Sequence, residues 1–214
     1  MRDFLRSLPV FAGVMPDFDA DDGPDDPAEL FASWLRHAVE EGVPEPHAMT
    51  LSTTGPDGAP DARTLILKDL DEQGWWFATS AASIKGGQLA ARPVAALTFY
   101  WPQVGRQVRV RGAVVAGSAE RSAADFRSRG AGARAVALAS RESQPLDSRP
   151  DCARAVADAG RQLAADPGLT APAWQACAVA AHTVEFWQAD KDRQHIRLQY
   201  RHSELGWKRT LLWP

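Results

Sequence analysis

The sequence is poor in cysteine, in tyrosine and in long apolar runs, and it has no excess of positive charge. Its two cysteines, Cys152 and Cys177, form no C-x-x-C pair and have no histidine at ligand spacing. A zinc site is therefore not expected, and both read as incidental or buried thiols. No stretch reaches the ~18 consecutive apolar residues that a membrane-crossing helix needs. The opening "MRDFLRSLPVFAGVMPDF" is too broken for the apolar centre of a secretory leader, so a soluble, cytoplasmic protein without membrane contact is expected. With 24 basic and 27 acidic residues the formal net charge is −3, which argues against a general nucleic-acid binder. "DFDADDG" fails as a calcium loop: counted from Asp17, the sixth place holds Asp22 instead of glycine and the twelfth holds Ala28 instead of glutamate.

What is present suits one folded unit. The chain has 214 residues, 45% hydrophobic and 24% charged, enough for an ordinary core. Residues 1–24 read as a flexible acidic arm and 25–214 as a single domain. "DDPAELFASWLRHAVEEGV" carries a helix start at Asp26, Pro27 and Glu29, an apolar stripe through Leu30, Phe31, Trp34, Leu35, Ala38 and Val39, and a stop at Gly42. The period then becomes two. "AMTLSTT", "ARTLILKDL", "GWWFATS", "VAALTFYW" and "RQVRVRGAVVAGS" read as strands, with a short helix in "SIKGGQLAARP". "AERSAADFRSR", "ARAVALASR" and "DCARAVADAGRQLAAD" read as helices. "ACAVAAHTVEFWQA", "HIRLQYRHS" and "GWKRTLLWP" close the chain as strands. Strand-rich halves around a helical middle predict an α+β protein built on a small antiparallel barrel.

Four stretches carry chemistry. In "RTLILK", Arg63 and Lys68 bracket an apolar strand on opposite faces, either as charges that block edge pairing or as ligand cations. In "TSAASIKGG", hydroxyls, Lys85 and two glycines sit at a strand-to-helix junction; this suits a serine-capped helix, or one whose start holds a phosphate. The P-loop order G-x-x-x-x-G-K-[ST] is absent. In "GRQVRVRG", Gln107, Arg109 and Arg111 share one face, as a solvent-facing polar stripe or with an amide able to bond a heterocycle edge. In "EFWQADKDRQHIR", Arg193, His195 and Arg197 fall at every second place after Trp187, so an extended chain would gather them on one face. Aromatic plate and guanidiniums suit a flat anionic ligand.

The run from "AMTLSTT" through "RTLILK", "SIKGGQLAARPVAALTFYW", "RQVRVRG", "FRSR", "ASRES" and "VEFWQADKDRQHIRLQYRHSELGWKRTLLWP" resembles the pyridoxamine 5′-phosphate oxidase family of FMN flavoproteins. The resemblance runs from about residue 26 to the C-terminus and implies a split β-barrel that dimerises with FMN at the subunit interface. It implies Arg63 and Lys85 as FMN-phosphate ligands, with Thr79 and Ser83 on the same wall. Lys68 would lie between flavin and substrate, and Gln107 would bond the flavin ring. Ser143, Trp187 and Arg197 would come from the partner chain, while Arg193 and His195 would act over the substrate as catalytic residues. Where the family's substrate-phosphate pocket has tyrosine, arginine and serine, this chain has Asp125, Arg129 and Ala133. Glu142 stands where a glutamine is usual, and Gln194 and Ile196 depart within "RQHIR". These departures, with the likeness of residues 16–49 and "ASRES" to the phenazine-biosynthesis branch, predict an FMN oxidase that uses dioxygen on a small reduced aromatic nitrogen heterocycle. A pyridoxine 5′-phosphate oxidase and a flavin-binding protein without turnover are the rival readings.

Overall fold

In a computed structural model the chain is described at residues 1–11, 13 and 15–214; Ala12 and Val14, inside the expected arm, lie outside the described residues. The elements run α1 (Arg2–Ser7), α2 (Pro27–Glu40), β1 (Ala48–Thr54), β2 (Pro60–Ile66), β3 (Asp69–Asp71), β4 (Gly74–Ser80), α3 (Ile84–Ala91), β5 (Val94–Trp101), β6 (Arg106–Ala116), α4 (Ala119–Ser128), α5 (Ala131–Ala139), α6 (Arg149–Ala165), β7 (Trp174–Gln188), β8 (Ile196–Ser203) and β9 (Gly206–Leu212). Among the described residues, no helix is long and apolar enough to cross a membrane.

One nine-stranded sheet has the order β2-β1-β5-β6-β7-β4-β3, with β8 on β7 and β9 on β8. Every pairing is antiparallel. The long strand β7 forks the sheet: its first part pairs β4, its last part pairs β8. The β6–β7 register slips between Arg111 and Gly112. A Cβ on Gly112 would collide with the Ala180 carbonyl, so the bend needs glycine there.

The sheet's two ends, β2 and β3, are consecutive in the chain. Only Leu67 and Lys68 separate them. Leu67 N–H donates to His47 O on one side and Lys68 N–H to Trp76 O on the other, each at 2.8 Å. The curled sheet thus meets itself at Lys68. The alternation of "ARTLILKDL" runs unbroken through the seam and predicts one strand. The structure divides it, since the backbone hands its bonds from β1 to β4.

Helix α2 plugs the concave side. Asp26 caps it by accepting the Ala28 N–H at 2.8 Å, with Pro27 in the first turn. Phe31 lies edge-on to Phe99 at 4.8 Å and to Trp75 at 5.8 Å, and Trp34 to Phe186 at 5.1 Å. Val39, expected in the apolar stripe, is exposed; it lies at the far edge of the face that Leu30, Phe31, Trp34 and Ala38 bury. Helices α4 to α6 form a second, smaller cluster around Phe126, Ala135, Ala159 and Leu163, against which Trp174 packs.

The segment expected as a flexible arm begins instead with the exposed helix α1. Asp3 in its first turn and Arg6 in its last complement the helix dipole. Further on, Phe18 packs on Trp34 with centroids 5.0 Å apart, and Tyr200 donates its hydroxyl to Pro24 O at 2.7 Å.

Candidate active site

The residues singled out in the sequence fall into two groups at different places on the chain. The first group gathers where β4 runs into α3. Ser83 caps α3, accepting the Gly86 N–H at 3.1 Å while its hydroxyl donates to Ser80 O at 2.7 Å. Gly86 allows this junction to be tight: an added Cβ would stand 2.5 Å from Ser80 O. Lys85, in the first turn of α3, is 6% exposed and pairs with Glu142. Lys68, Thr79, Lys85, Arg129, Glu142 and Trp174 all line one cavity of about 480 Å³. That is a size suited to a small organic ligand, for which ~300–1,000 Å³ is usual.

Arg63 belongs to the same end of the sheet but is absent from that lining. Its guanidinium donates to Thr53 Oγ1 at 2.6 Å, to Leu51 O and Gln88 Oε1 at 3.4 Å, and pairs with Asp61. Gln88 closes the network, accepting from Thr53 Oγ1 at 2.6 Å and donating to Asp61 at 3.2 Å. Thr53, Asp61 and Gln88 were not foreseen. Their signal was weak: a strand threonine and a helix glutamine look solvated until tertiary packing buries them.

Ser143 was expected to serve from the partner chain. Here its hydroxyl accepts the Ile84 N–H of its own chain at 3.3 Å, beside Lys85. The α5–α6 loop is long enough to bring it back onto α3.

The second group lies on the outer face of β6, β7 and β8. Gln107 is in register with Trp187, and Trp187 with Arg197, so the three form a row across the sheet. Arg197 Nε and Nη2 each reach Glu185 at 3.0 Å, and Nη1 donates to Trp213 O at 2.9 Å. Glu185, buried and unforeseen, also pairs with Arg109. The expected alternation of Arg193, His195 and Arg197 on one strand does not form. Residues 189–195 are a turn, Arg193 adopts φ 65°, and the Asp190 carboxylate accepts the N–H groups of Asp192 and Gln194. An aspartate that folds the backbone onto itself explains the break.

His195 still reaches Trp187, with ring centroids 4.8 Å apart, and Phe11 of the N-terminal segment packs on both. Asp190 N–H donates to His195 Nδ1 at 3.0 Å. The neutral imidazole therefore carries its proton on Nε2 and acts as a donor there. Its use as a proton acceptor would require breaking that backbone bond. His195 and Arg197 line a second cavity, of about 940 Å³, which shares no lining residue with the first.

Beside the first cavity, Asp125 Oδ2 accepts the Nε1–H of the lining residue Trp174 at 2.8 Å, and the Arg129 guanidinium lies 4.3 Å over the Trp174 ring. Among the described residues, Arg129 Nε is buried without a partner. The departure noted at Asp125 thus has a local use, holding the indole. Ala133 is exposed and offers no donor.

Comparison with known proteins shows the family. Residues 35–164 match the family described as pyridoxamine 5′-phosphate oxidase, and residues 174–214 match the pyridoxine 5′-phosphate oxidase C-terminal dimerisation region. The chain belongs to the pyridoxamine 5′-phosphate oxidase family. It is 41% identical over 196 residues to the pyridoxine/pyridoxamine 5′-phosphate oxidase of Rubrobacter xylanophilus, covering 91% of this chain and 90% of that one. It is 42% identical over 193 residues to the enzyme of that name from Pseudomonas paraeruginosa, covering 89% and 90%. Its fold matches the crystal structure of PhzG from Burkholderia lata 383 in complex with tetrahydrophenazine-1-carboxylic acid at TM-score 0.87 and 28% identity, over 94% of this chain and all of that one. The curled sheet with flanking helices is therefore the split barrel, and the chain is an oxidase of the FMN-dependent kind.

Lys68, Lys85 and Arg129 bring three cations to the lining of one cavity, a donor set that suits the phosphate of FMN. Among the described residues Arg129 Nε has no partner, whereas the Ile84 and Gly86 N–H groups at the start of α3 are taken by the Ser143 and Ser83 hydroxyls. The C-terminal dimerisation region contains Trp187, Arg193, His195 and Arg197.

Proposed function

We propose that this chain is an FMN oxidase acting on a reduced, carboxylated aromatic nitrogen heterocycle of the dihydrophenazine type. The observation that carries the reading is the Asp125–Trp174–Arg129 arrangement beside the cavity. A phosphate dianion there would meet one guanidinium, one carboxylate and an alanine. A monoanionic carboxylate needs only the guanidinium, which pairs with it in a planar, two-pronged fashion. The Trp174 indole, held by Asp125, adds a flat wall for an aromatic ring.

The chemistry that FMN supplies when bound is two-electron oxidation of the substrate, with dioxygen as final acceptor and hydrogen peroxide as product. The protein's share is placement and charge. In this reading Lys85 and the α3 start hold the phosphate, and Lys68, at the seam of the barrel, faces both flavin and substrate. Arg129 takes the substrate carboxylate. A second copy of the chain supplies Gln107, Trp187, Arg193, His195 and Arg197, so that the working unit is a homodimer with FMN at its interface. His195 donates from Nε2 and orients the substrate rather than removing its proton. Two separate cavities, one lined by Lys68, Thr79, Lys85 and Arg129 and the other by His195 and Arg197, support this division of labour.

A second reading is favoured by the 41–42% identity to pyridoxine/pyridoxamine 5′-phosphate oxidases. Turnover of the FMN-loaded protein on a dihydrophenazine carboxylate and on pyridoxine 5′-phosphate separates them. The proposal expects kcat/KM to favour the first by at least about tenfold, a difference of ~1.4 kcal/mol. Efficient formation of pyridoxal 5′-phosphate would establish the second reading instead.

A further inference from the structure

We infer that Glu142 is a built-in competitor for the cofactor phosphate, and that it sets how tightly this chain holds FMN. The inference rests on the proposed placement of that phosphate at the start of α3. Lys85 is 94% buried by its 6% exposure, and its ammonium is paired with the Glu142 carboxylate. The adjacent Ser143 takes a left-handed φ of 70° and puts its hydroxyl 3.3 Å from the Ile84 N–H. Two neighbouring residues of one loop thus deliver a carboxylate to the helix-start lysine and an oxygen to a first-turn amide. Those are the donors that a phosphate uses at a helix N-terminus.

An ammonium has three protons, so a phosphate and Glu142 could share Lys85 geometrically. Charge opposes the sharing. Two anions at one buried cation repel, and the attraction that would draw the phosphate has already been satisfied. The arrangement is doubled at Arg63, whose guanidinium pairs with Asp61. Glu142 also has somewhere to go. It lines both the cavity that holds Lys85 and a neighbouring one of about 520 Å³, where Arg141 offers another cation.

The test is titration of flavin-free, full-length protein with FMN and with riboflavin, followed by quenching of flavin fluorescence, for the native chain, Glu142→Gln and Glu142→Ala. The expected result is FMN binding at least about tenfold tighter in both variants, with riboflavin affinity unchanged. Unchanged or weaker FMN binding in both variants overturns the inference while leaving the phosphate site intact. Tightening by glutamine alone also overturns it, because the gain would then come from an amide bond and not from removal of charge. Equal tightening toward riboflavin overturns it as well, since the loop would then act on the ring. A native protein that binds FMN no better than riboflavin removes the phosphate placement itself, and the inference falls with it.

Discussion

Replacing Asp125 by tyrosine and Ala133 by serine restores, around Arg129, the tyrosine-arginine-serine pattern expected for a phosphate pocket. The native pair offers a substrate phosphate no donor from these two positions, only Arg129. Each restored hydroxyl bond to a charged group is worth about 1.5–3 kcal/mol. New side chains do not reach full geometry, and they lose rotamer freedom in binding. Half of the combined value is a fair expectation, about 1.5–3 kcal/mol, or roughly 10–150-fold in kcat/KM for pyridoxine 5′-phosphate. The change has a structural cost. Asp125 accepts the Trp174 Nε1–H at 2.8 Å, and loss of that bond costs about 1 kcal/mol, a fall in melting temperature of about 2–4 °C for a domain of this size. Peroxide production under steady-state conditions, read beside a thermal melt, checks both. A variant that folds, melts within this range and gains nothing toward the phosphorylated substrate would refute the argument that Asp125 and Ala133 set substrate choice.

Three other outcomes follow from the packing. Burial pushes the Asp71 carboxyl up, but hydrogen bonds from Trp76 and Gln73 and the Arg121 guanidinium outweigh it, leaving its pKa below the ordinary 3.8. A lowered folded pKa means that its stabilisation is present above the unfolded value and is lost as pH falls through the folded one. Asp71→Asn should therefore flatten the lower end of a melting-temperature profile measured from neutral pH to strong acid; an unchanged acid slope would count against the linkage. Burial raises the Cys177 thiol to about 11, whereas Cys152 is exposed, so iodoacetamide at neutral pH should label Cys152 alone in the folded protein, as peptide mass spectrometry will show. Tyr200→Phe removes the bond to Pro24 O and should cost about 0.5–1.5 kcal/mol in denaturant unfolding.

The sequence made most elements legible because its patterns are local. Asp26-Pro27 and Ser83 stand at the starts of α2 and α3, and period-two runs match β1, β4, β5 and β6. What it concealed depends on the closure of the barrel. Apolar alternation passes through Leu67–Lys68 without a mark, yet there the backbone changes partners. The alternation of Arg193, His195 and Arg197 suggested a strand, but Asp190 folds the segment into a turn through side-chain bonds that alternation does not register. Residue types at the site were legible: Lys68, Thr79, Lys85 and Arg129 do share a cavity. The carboxylate partners of the cations were harder to read: Glu142 reaches Lys85 from a loop far along the chain, and Glu185 of β7 meets Arg109 and Arg197 of the neighbouring strands, so only Asp61, two residues before Arg63 in β2, is local. Phe11, packed on Trp187 and His195, sits in a segment without periodicity and gave no signal.

The central claim is that each flavin lies between the α3 end of one chain and the Trp187 face of another. Co-expression of two differently tagged chains, one carrying Lys85→Ala and the other Trp187→Ala, tests it most directly. Dimers of either variant alone should hold little FMN, while the purified mixed dimer, with one site assembled from two intact halves, should hold one flavin per dimer. Mixed dimers as empty as their parents, or either variant dimer retaining its flavin, would contradict the account.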